Sequence, residues 1–424
     1  MLTTRKGLMI ILDGLGDRGI PSFGGKTPLE VADTPNMERL ASAGQCGLVD
    51  PLFPGMPVGT HTGTSLLFGL SQQQAIKLAR GPVEATGVGL NIRDNALFFR
   101  CNFATLKKHE EHYKIIDRRA GRINTDTEAL AAEIGHLDLG EGITATLHPA
   151  TQHRVVLQLK GLGLSHKISN TDPGNEYSDR GLLTCYANNP ADGDAVRTSN
   201  AVNRLMEIIH TRLDNHPINK KRLENGLLPA NGIICRSPGK RPCVTPLIQH
   251  LNLKAAVISG ERTVLGLGKL LGYKLFENHR FTANKETDLL AKIKAVKEAL
   301  SKHDLVYLHI KATDLFSHDL DPNGKREMLA KIDDAITPLL SDELVIAITA
   351  DHSTDSNTGR HTGDPVPSLI YNPIGRIDAC QSFSETACAI GGLGRINSSG
   401  FLFTLLDQMN RLENFRPKDS AFIL

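Results

Sequence analysis

The sequence predicts an α/β protein: a mainly parallel sheet flanked by helices and interrupted by an inserted α+β domain. Three observations carry this. Residues 7–12, 305–310 and 344–350 are continuous apolar runs, the pattern of strands covered on both faces. Strand and helix patterns alternate late in the chain: a strand at 255–259 and a helix at 264–271, then the run at 305–310, an amphipathic helix over 324–340 and the run at 344–350, with a further short strand at 368–371. The middle reads differently. Shorter, alternating segments at 96–103, 113–116, 143–147 and 153–159 suit antiparallel strands, and a turn at 188–193 leads into a helix over 195–214. The expected division is therefore a discontinuous core, residues 1–89 and 251–424, around an inserted domain, residues 90–250.

Composition narrows the function. The 424 residues carry 48 basic and 46 acidic side chains, a net charge of +2. That balance speaks against a nucleic-acid binder, although a locally basic pocket fits within it. Apolar residues make up 40% and charged residues 22%, which is ordinary for a globular chain. No stretch approaches the roughly 18 apolar residues of a membrane span. The first apolar run is too short for a signal peptide. Seven cysteines form no Cys-x-x-Cys pair, so they read as small buried residues in a reducing, cytoplasmic setting.

The residues with chemical potential cluster at predicted strand ends. After residues 305–310 comes Lys311-Ala312-Thr313-Asp314, with His318 four positions beyond Asp314. On a helix that spacing puts Asp314 and His318 on one face, able to grip one metal ion; the plainer alternative is a helix cap and a surface histidine. The run at 344–350 ends in Asp351-His352, and His361 follows within a stiff, proline-rich turn. The first run ends in Asp13-Gly14. Open α/β sheets keep their sites at such strand ends. Together, Asp13, Asp314, His318, Asp351, His352 and His361 suit two divalent metals such as zinc or manganese. A loop rich in glycine and hydroxyls, residues 57–65, offers a nucleophile and anion-facing N–H groups, or else a simple turn.

These residues resemble the archaeal-type cofactor-independent phosphoglycerate mutases of the alkaline phosphatase superfamily. The resemblance runs nearly end to end. It includes the Asp13-Gly14 pair, GKTPLE at 25–30, TPN at 34–36, RCNFAT at 100–105, DRRAGRI at 117–123, GLLPAN at 226–231, residues 311–319, 349–354 and 361–367, and GGLGR at 391–395. It implies an alkaline-phosphatase-like core and a substrate-binding inserted domain. It implies two divalent ions, manganese or zinc with magnesium and cobalt as further options, and no 2,3-bisphosphoglycerate. Asp314, His318 and His361 match the ligands of one metal. Asp13, Asp351, His352 and a hydroxyl nucleophile match those of the other, with Thr60 at the nucleophile's place. Arg118, Arg119 and Arg122 match a motif that clamps a phosphorylated carboxylic acid, with Arg154 and Arg236 as additional contacts or as partners of nearby acids. Lys311 stands where it would neutralise phosphate charge.

The implied activity is interconversion of 3-phosphoglycerate and 2-phosphoglycerate through phosphorylated Thr60. The expected partner is that small acid alone, with no nucleic acid and no membrane; homo-oligomerisation stays open. One departure bears on this. The family's loop usually reads Gly-Ser-Asp-Thr-Ala-His, whereas this chain reads GTHTGT at 59–64. Asn170 likewise stands where the family commonly has aspartate. The altered loop leaves room for a phosphatase, or for a phosphomutase acting on another phosphorylated or phosphonate acid. A non-catalytic metal-binding regulator is the third option.

Overall fold

The computed structural model describes residues 4–92, 95–110, 112–174, 181–244, 246–413 and 415. The chain divides into two compact units, Met1–Lys77 with Val244–Leu424, and Leu78–Cys243. These limits fall before 89/90 and 250/251, the positions expected from the sequence. The earlier switch at 77/78 has a local cause. The helix Arg80–Gly87 lies so close to the next strand that a Cβ on Gly81 would sit 2.0 Å from the Phe98 carbonyl oxygen. Only glycine permits that approach, and it fastens the helix to the second unit.

The first unit is built on an eight-stranded sheet. From one edge its strands are Lys274–Phe276, Ala255–Ile258, Leu305–Ile310, Lys6–Leu12, Leu344–Thr349, Val366–Tyr371, Gln45–Asp50 and Gly394–Asn397. All neighbours pair in parallel except Val366–Tyr371, which runs antiparallel to both of its partners. The three apolar runs are adjacent and central. Leu8, Ile10 and Leu12 pack into a core with Ile293 and Val296 from the helix Leu289–Lys302, and with Leu329 and Ile332 from the helix Pro322–Ile336. Each such side chain contributes about 1.5–3 kcal/mol by leaving water.

Register decides what this sheet can present. Leu12 lies opposite Ile310, and Ile11 opposite Thr349. The residues that follow, Asp13, Lys311 and Asp351, therefore emerge side by side. The helix Thr60–Leu67 ends against the sheet, where Tyr307 donates its hydroxyl hydrogen to the Leu67 carbonyl at 3.0 Å and Tyr273 donates to that of Phe68 at 2.9 Å. Both bonds hold the end of the helix opposite Thr60.

The second unit is a six-stranded antiparallel sheet. Its long strand Ala96–His109 pairs with Arg154–Lys160, Gly232–Gly239 and His112–Asp117. Strand alternation sends Phe99, Cys101 and Phe103 into a core with Val202, Leu205 and Ile209 of the helix Gly193–Asp214. Arg100 and Asn102 point to the other face. Among the described residues no helix is long and apolar enough to cross a membrane.

The loop after Lys6–Leu12 is stapled from within. Lys325, fully buried, donates to the Gly14 carbonyl at 2.8 Å and pairs with Asp17 at 2.8 Å. Asp17 also accepts from Ser356 N at 2.9 Å. Removing one partner strands a buried charge, at a cost of about 3–5 kcal/mol. Lys325→Met should lose stability of that order in denaturant unfolding, and adding Asp17→Asn should recover much of it.

Candidate functional site

Three strand ends and the starts of two helices meet in the first unit. Asp13, Asp314, Asp351 and His352 are completely buried. Asp13 Oδ1 lies 3.0 Å from Lys311 Nζ and 3.2 Å from His352 Nε2. Its Oδ2 lies 3.1 Å from His309 Nε2 and 3.3 Å from Thr60 Oγ1. Thr60 opens its helix after Gly59, with Oγ1 also 3.1 Å from Lys311 Nζ and 3.4 Å from His352 Nε2. Gly14, at φ +64°, has no room for a side chain: a Cβ would come within 2.8 Å of Asp314 Oδ1.

Beside this, Asp314 gathers the second group. Its Oδ2 is 2.6 Å from Lys311 Nζ and 3.2 Å from His318 Nε2, and its Oδ1 is 3.6 Å from His361 Nε2. The helix Ala312–His318 supplies the spacing that puts Asp314 and His318 on one face. His352 and His361 stack with ring centroids 3.9 Å apart, so the two groups are contiguous.

The histidines have their proton positions fixed by neighbours that can only accept. His318 Nδ1 donates to the Gly359 carbonyl at 2.7 Å, and His361 Nδ1 to that of Val58 at 2.9 Å. The two Nε2 atoms are 3.2 Å apart; that of His318 faces Asp314, whose bond raises its affinity for a proton. Thr354 gives its hydroxyl hydrogen to Asp314 Oδ1 at 2.7 Å, so it accepts from His352 Nδ1 at 3.1 Å and leaves His352 Nε2 facing Asp13. A histidine whose other nitrogen donates to a carbonyl or hydroxyl is the usual arrangement behind a metal ligand. Burial, reinforced by His352, pushes His361 down to about 4, which keeps its lone pair free at neutral pH.

Charge points the same way. Three buried carboxylates face one ammonium. Burial alone would push Asp13 up, yet Lys311 and the bonds from His309 and His352 hold it well below the usual range. Asp351 is raised, by burial and then by Asp13. Neither Asp351 oxygen accepts a hydrogen bond among the described residues, an expensive state for a carboxylate unless a cation meets it. Asp13, His309 and Asp351, and separately Asp314, His352 and His361, bring ligand atoms within 4.8 Å of one another. The donor set fits two divalent ions.

Two residues here were not picked out from the sequence. His309 and Thr354 lie directly behind the others, and the signal for His309 was a polar residue inside an otherwise apolar buried strand. The loop that carries Thr60 departs from the family pattern in a physically specific way. Gly63 takes the place of alanine, and a Cβ there would lie 1.9 Å from the Asp351 carbonyl oxygen. The helix therefore sits closer to Asp351 than alanine allows, and His61, where the family has an acid, is buried.

The predicted arginines belong to the second unit, where most of them gather. Arg118 pairs with Asp172 Oδ1 at 2.5 Å and donates to the Gly174 carbonyl, while Arg236 reaches Asp172 Oδ2 at 3.5 Å. Arg154 couples to Arg100 and Arg236, and Arg119 to His153. Arg122 stands exposed at φ +58° and takes no part in these couplings. Arg80, Arg100 and His153 join them, although none is among the substrate contacts expected from the sequence. Arg100 is buried 3.5 Å from Glu84, and its affinity for the proton is lowered by burial first and by Arg80, Arg154 and Arg236 after it. Burial and these arginines push His153 down to about 4, so it is neutral among guanidiniums. Asn170 accepts from Ser237 N at 2.9 Å, a backbone tie.

Residues 41–219 match the family model of 2,3-bisphosphoglycerate-independent phosphoglycerate mutase. The protein of that name from Thermococcus kodakarensis is 38% identical over 416 residues, 97% of this chain and 99% of its own. The chain belongs to this family. Its namesake in Methanopyrus kandleri is 37% identical over 97% of this chain and 98% of its own length. Among solved structures, the PH0037 protein from Pyrococcus horikoshii superposes with a TM-score of 0.82 at 32% identity, covering 98% of this chain and all of that one. The cofactor-independent phosphoglycerate mutase from Thermoplasma acidophilum gives 0.68 at 32% identity, covering 96% of this chain and 100% of that one. The mainly parallel α/β fold is thus the family's.

Two outcomes follow from this geometry. Manganese or zinc should raise the melting temperature, by the equivalent of about 2.7 kcal/mol at a hundredfold excess over Kd, and Asp351→Asn should abolish most of that rise in a thermal-shift titration. Gly63→Ala must displace the helix Thr60–Leu67, so bound metal measured by mass spectrometry of the intact protein should fall even where the fold survives.

Proposed function

We propose that the chain is a metal-dependent phosphoglycerate mutase that interconverts 3-phosphoglycerate and 2-phosphoglycerate through phosphorylated Thr60. The observation that carries this is the position of Thr60 Oγ1, within 3.4 Å of Asp13, Lys311 and His352 together. Family membership over the whole chain supports the same reading. Asp13, Asp351, His352 and Thr60 would hold one divalent ion, and Asp314, His318 and His361 the other; manganese and zinc are the expected metals. Bound there, the ions would withdraw charge from the phosphoryl oxygens and ease loss of the hydroxyl proton.

The chain's own part is as follows. Thr60 Oγ1 bonds to phosphorus as the bond from phosphorus to the glycerate oxygen breaks, and that oxygen leaves protonated. Lys311 places a positive charge beside both the nucleophile and Asp314. The guanidiniums of Arg118, Arg154 and Arg236 hold the glycerate carboxylate while its two hydroxyls exchange places, with Arg119 alongside. The second hydroxyl then takes the phosphoryl group back from Thr60. No 2,3-bisphosphoglycerate is needed, because Thr60 stores the phosphoryl group.

A second reading has its own support in the loop. With Gly63 replacing alanine and His61 replacing an acid, the helix start differs where the reaction would occur. That favours a phosphatase, or a phosphomutase for a related phosphorylated or phosphonate acid. Phosphorus NMR of the manganese- or zinc-loaded protein with 3-phosphoglycerate separates the two. Appearance of 2-phosphoglycerate is expected; free phosphate alone would favour hydrolysis. Thr60→Ala should reduce turnover by at least about a thousandfold, and full activity in that variant would falsify the assignment of the nucleophile. Arg236→Ala should chiefly raise KM, by about tenfold or more, as loss of a bidentate carboxylate partner does.

A further inference from the structure

Away from the metal-fitting groups, the first unit contains a second convergence of ligand atoms. Cys46 lies on the strand Gln45–Asp50, Cys388 ends the short helix Glu385–Cys388, and Cys380 sits in the segment between that helix and the strand Val366–Tyr371. All three are at most 1% exposed. Their sulfurs lie within 4.8 Å of one another. Trigonal binding with bonds of about 2.3 Å, the zinc–thiolate length, would space them about 4 Å apart.

The surroundings restrict what could bind. Zinc almost always takes four ligands, and Asp378, which accepts from two of these cysteines' backbone, is committed there: its Oδ2 accepts from Cys46 N and Gly392 N, and its Oδ1 from Cys380 N. The thiols also donate to the carbonyls of Ser382, Ala387, Ser368 and Ala41. Among the described residues, the ligand group is therefore these three sulfurs, with no fourth histidine, cysteine or acid in it. The bond to Cys388 and then burial raise Cys380 far above an ordinary thiol; Cys388 is also raised, because its bond to Cys46 and burial outweigh its bond to Cys380. The leading causes of both shifts are the other thiols, burial and nearby backbone.

Net charge then selects the occupant. Three thiolates around a monovalent ion such as Cu(I) leave two negative charges in an apolar core, a cost of several kcal/mol or more per charge. A trivalent thiophilic centre leaves none. We propose that Cys46, Cys380 and Cys388 form a trithiol site for a trivalent metalloid of the arsenite type. The reaction is balanced without an oxidant: As(OH)3 exchanges three As–O bonds for three As–S bonds, and the three thiol protons leave with the hydroxides as water. The product is neutral and cross-links the strand Gln45–Asp50 to the segment that follows Val366–Tyr371.

The test uses the full-length, metal-loaded protein with sodium arsenite. Intact-mass measurement should show a species heavier by one arsenic less three hydrogens, and arsenic-edge X-ray absorption should show three sulfur neighbours. Cys46→Ser and, separately, Cys380→Ser should abolish that species. Cys101→Ser should leave it, although Cys101 and Cys235 are themselves 3.0 Å apart and could take arsenic as a dithiol that retains a hydroxyl. Absence of the three-sulfur species, its persistence in Cys46→Ser, or preferential retention of Cu(I) over arsenite would each overturn the proposal. Phosphoglycerate turnover is measured separately, so failure here leaves the proposed activity untouched.

Discussion

Burial of Asp13, Asp314 and Asp351 at neighbouring strand ends is the constraint on which the rest of the first unit depends. A carboxylate removed from water without compensation is too costly for a fold of ordinary stability to carry. Three of them, with Lys311 as the nearest permanent cation, require every adjacent group to be arranged around negative charge. That explains why His309 donates to Asp13 and Thr354 to Asp314, and why His318, bonded to Asp314, has its proton affinity raised. It also explains Lys325, which neutralises Asp17 and grips the Gly14 carbonyl, holding the loop that begins with Asp13. Parallel strands are suited to this. Their C-terminal ends lie along one edge, so residues far apart in sequence reach one point without long loops.

Much of this was legible in the sequence because function here coincides with strong local signals. The runs before Asp13, Lys311 and Asp351 are predominantly apolar, and each is followed by polar residues. The i, i+4 spacing of Asp314 and His318 needed only one turn of helix. What could not be read was anything that depends on pairing. His309 and Arg100 each lie within a strand whose neighbours are apolar, and only the register shows what they meet: Asp13 in one case, Arg236 across the ladder in the other. The strands Gln45–Asp50 and Gly232–Gly239 carry glycine, proline and polar residues that weaken any strand pattern. They exist because partners on the sheet complete their hydrogen bonds. The Cys46, Cys380 and Cys388 group was invisible for the same reason. Its members are separated by hundreds of residues or by a turn, in no recognisable spacing.

The loop that carries Thr60 departs from the family pattern at several positions at once. The far end of its helix is fixed by the hydroxyls of Tyr307 and Tyr273. Its near end moves in against the Asp351 backbone, because Gly63 has no Cβ. Thr60 carries one methyl more than serine, and the close approach that Gly63 permits leaves its Oγ1 within reach of Asp13 and His352. Substitutions at 60 and 63 are therefore one coupled change, and neither can be judged alone.

The second unit inverts the charge problem of the first. There, Arg80, Arg100, Arg118, Arg154 and Arg236 are electrostatically coupled, and Glu84 and Asp172 are the acids that act on them. Burial and mutual repulsion depress the proton affinity of Arg100, as they would anywhere cations outnumber anions. One unit thus holds an excess of buried carboxylate and the other an excess of guanidinium, and the chain's net charge of +2 is a cancellation between them. In each unit the imbalance calls for a ligand of the opposite charge and not for more of the protein's own side chains: cations for the buried carboxylates of the first, an anionic group for the guanidiniums of the second.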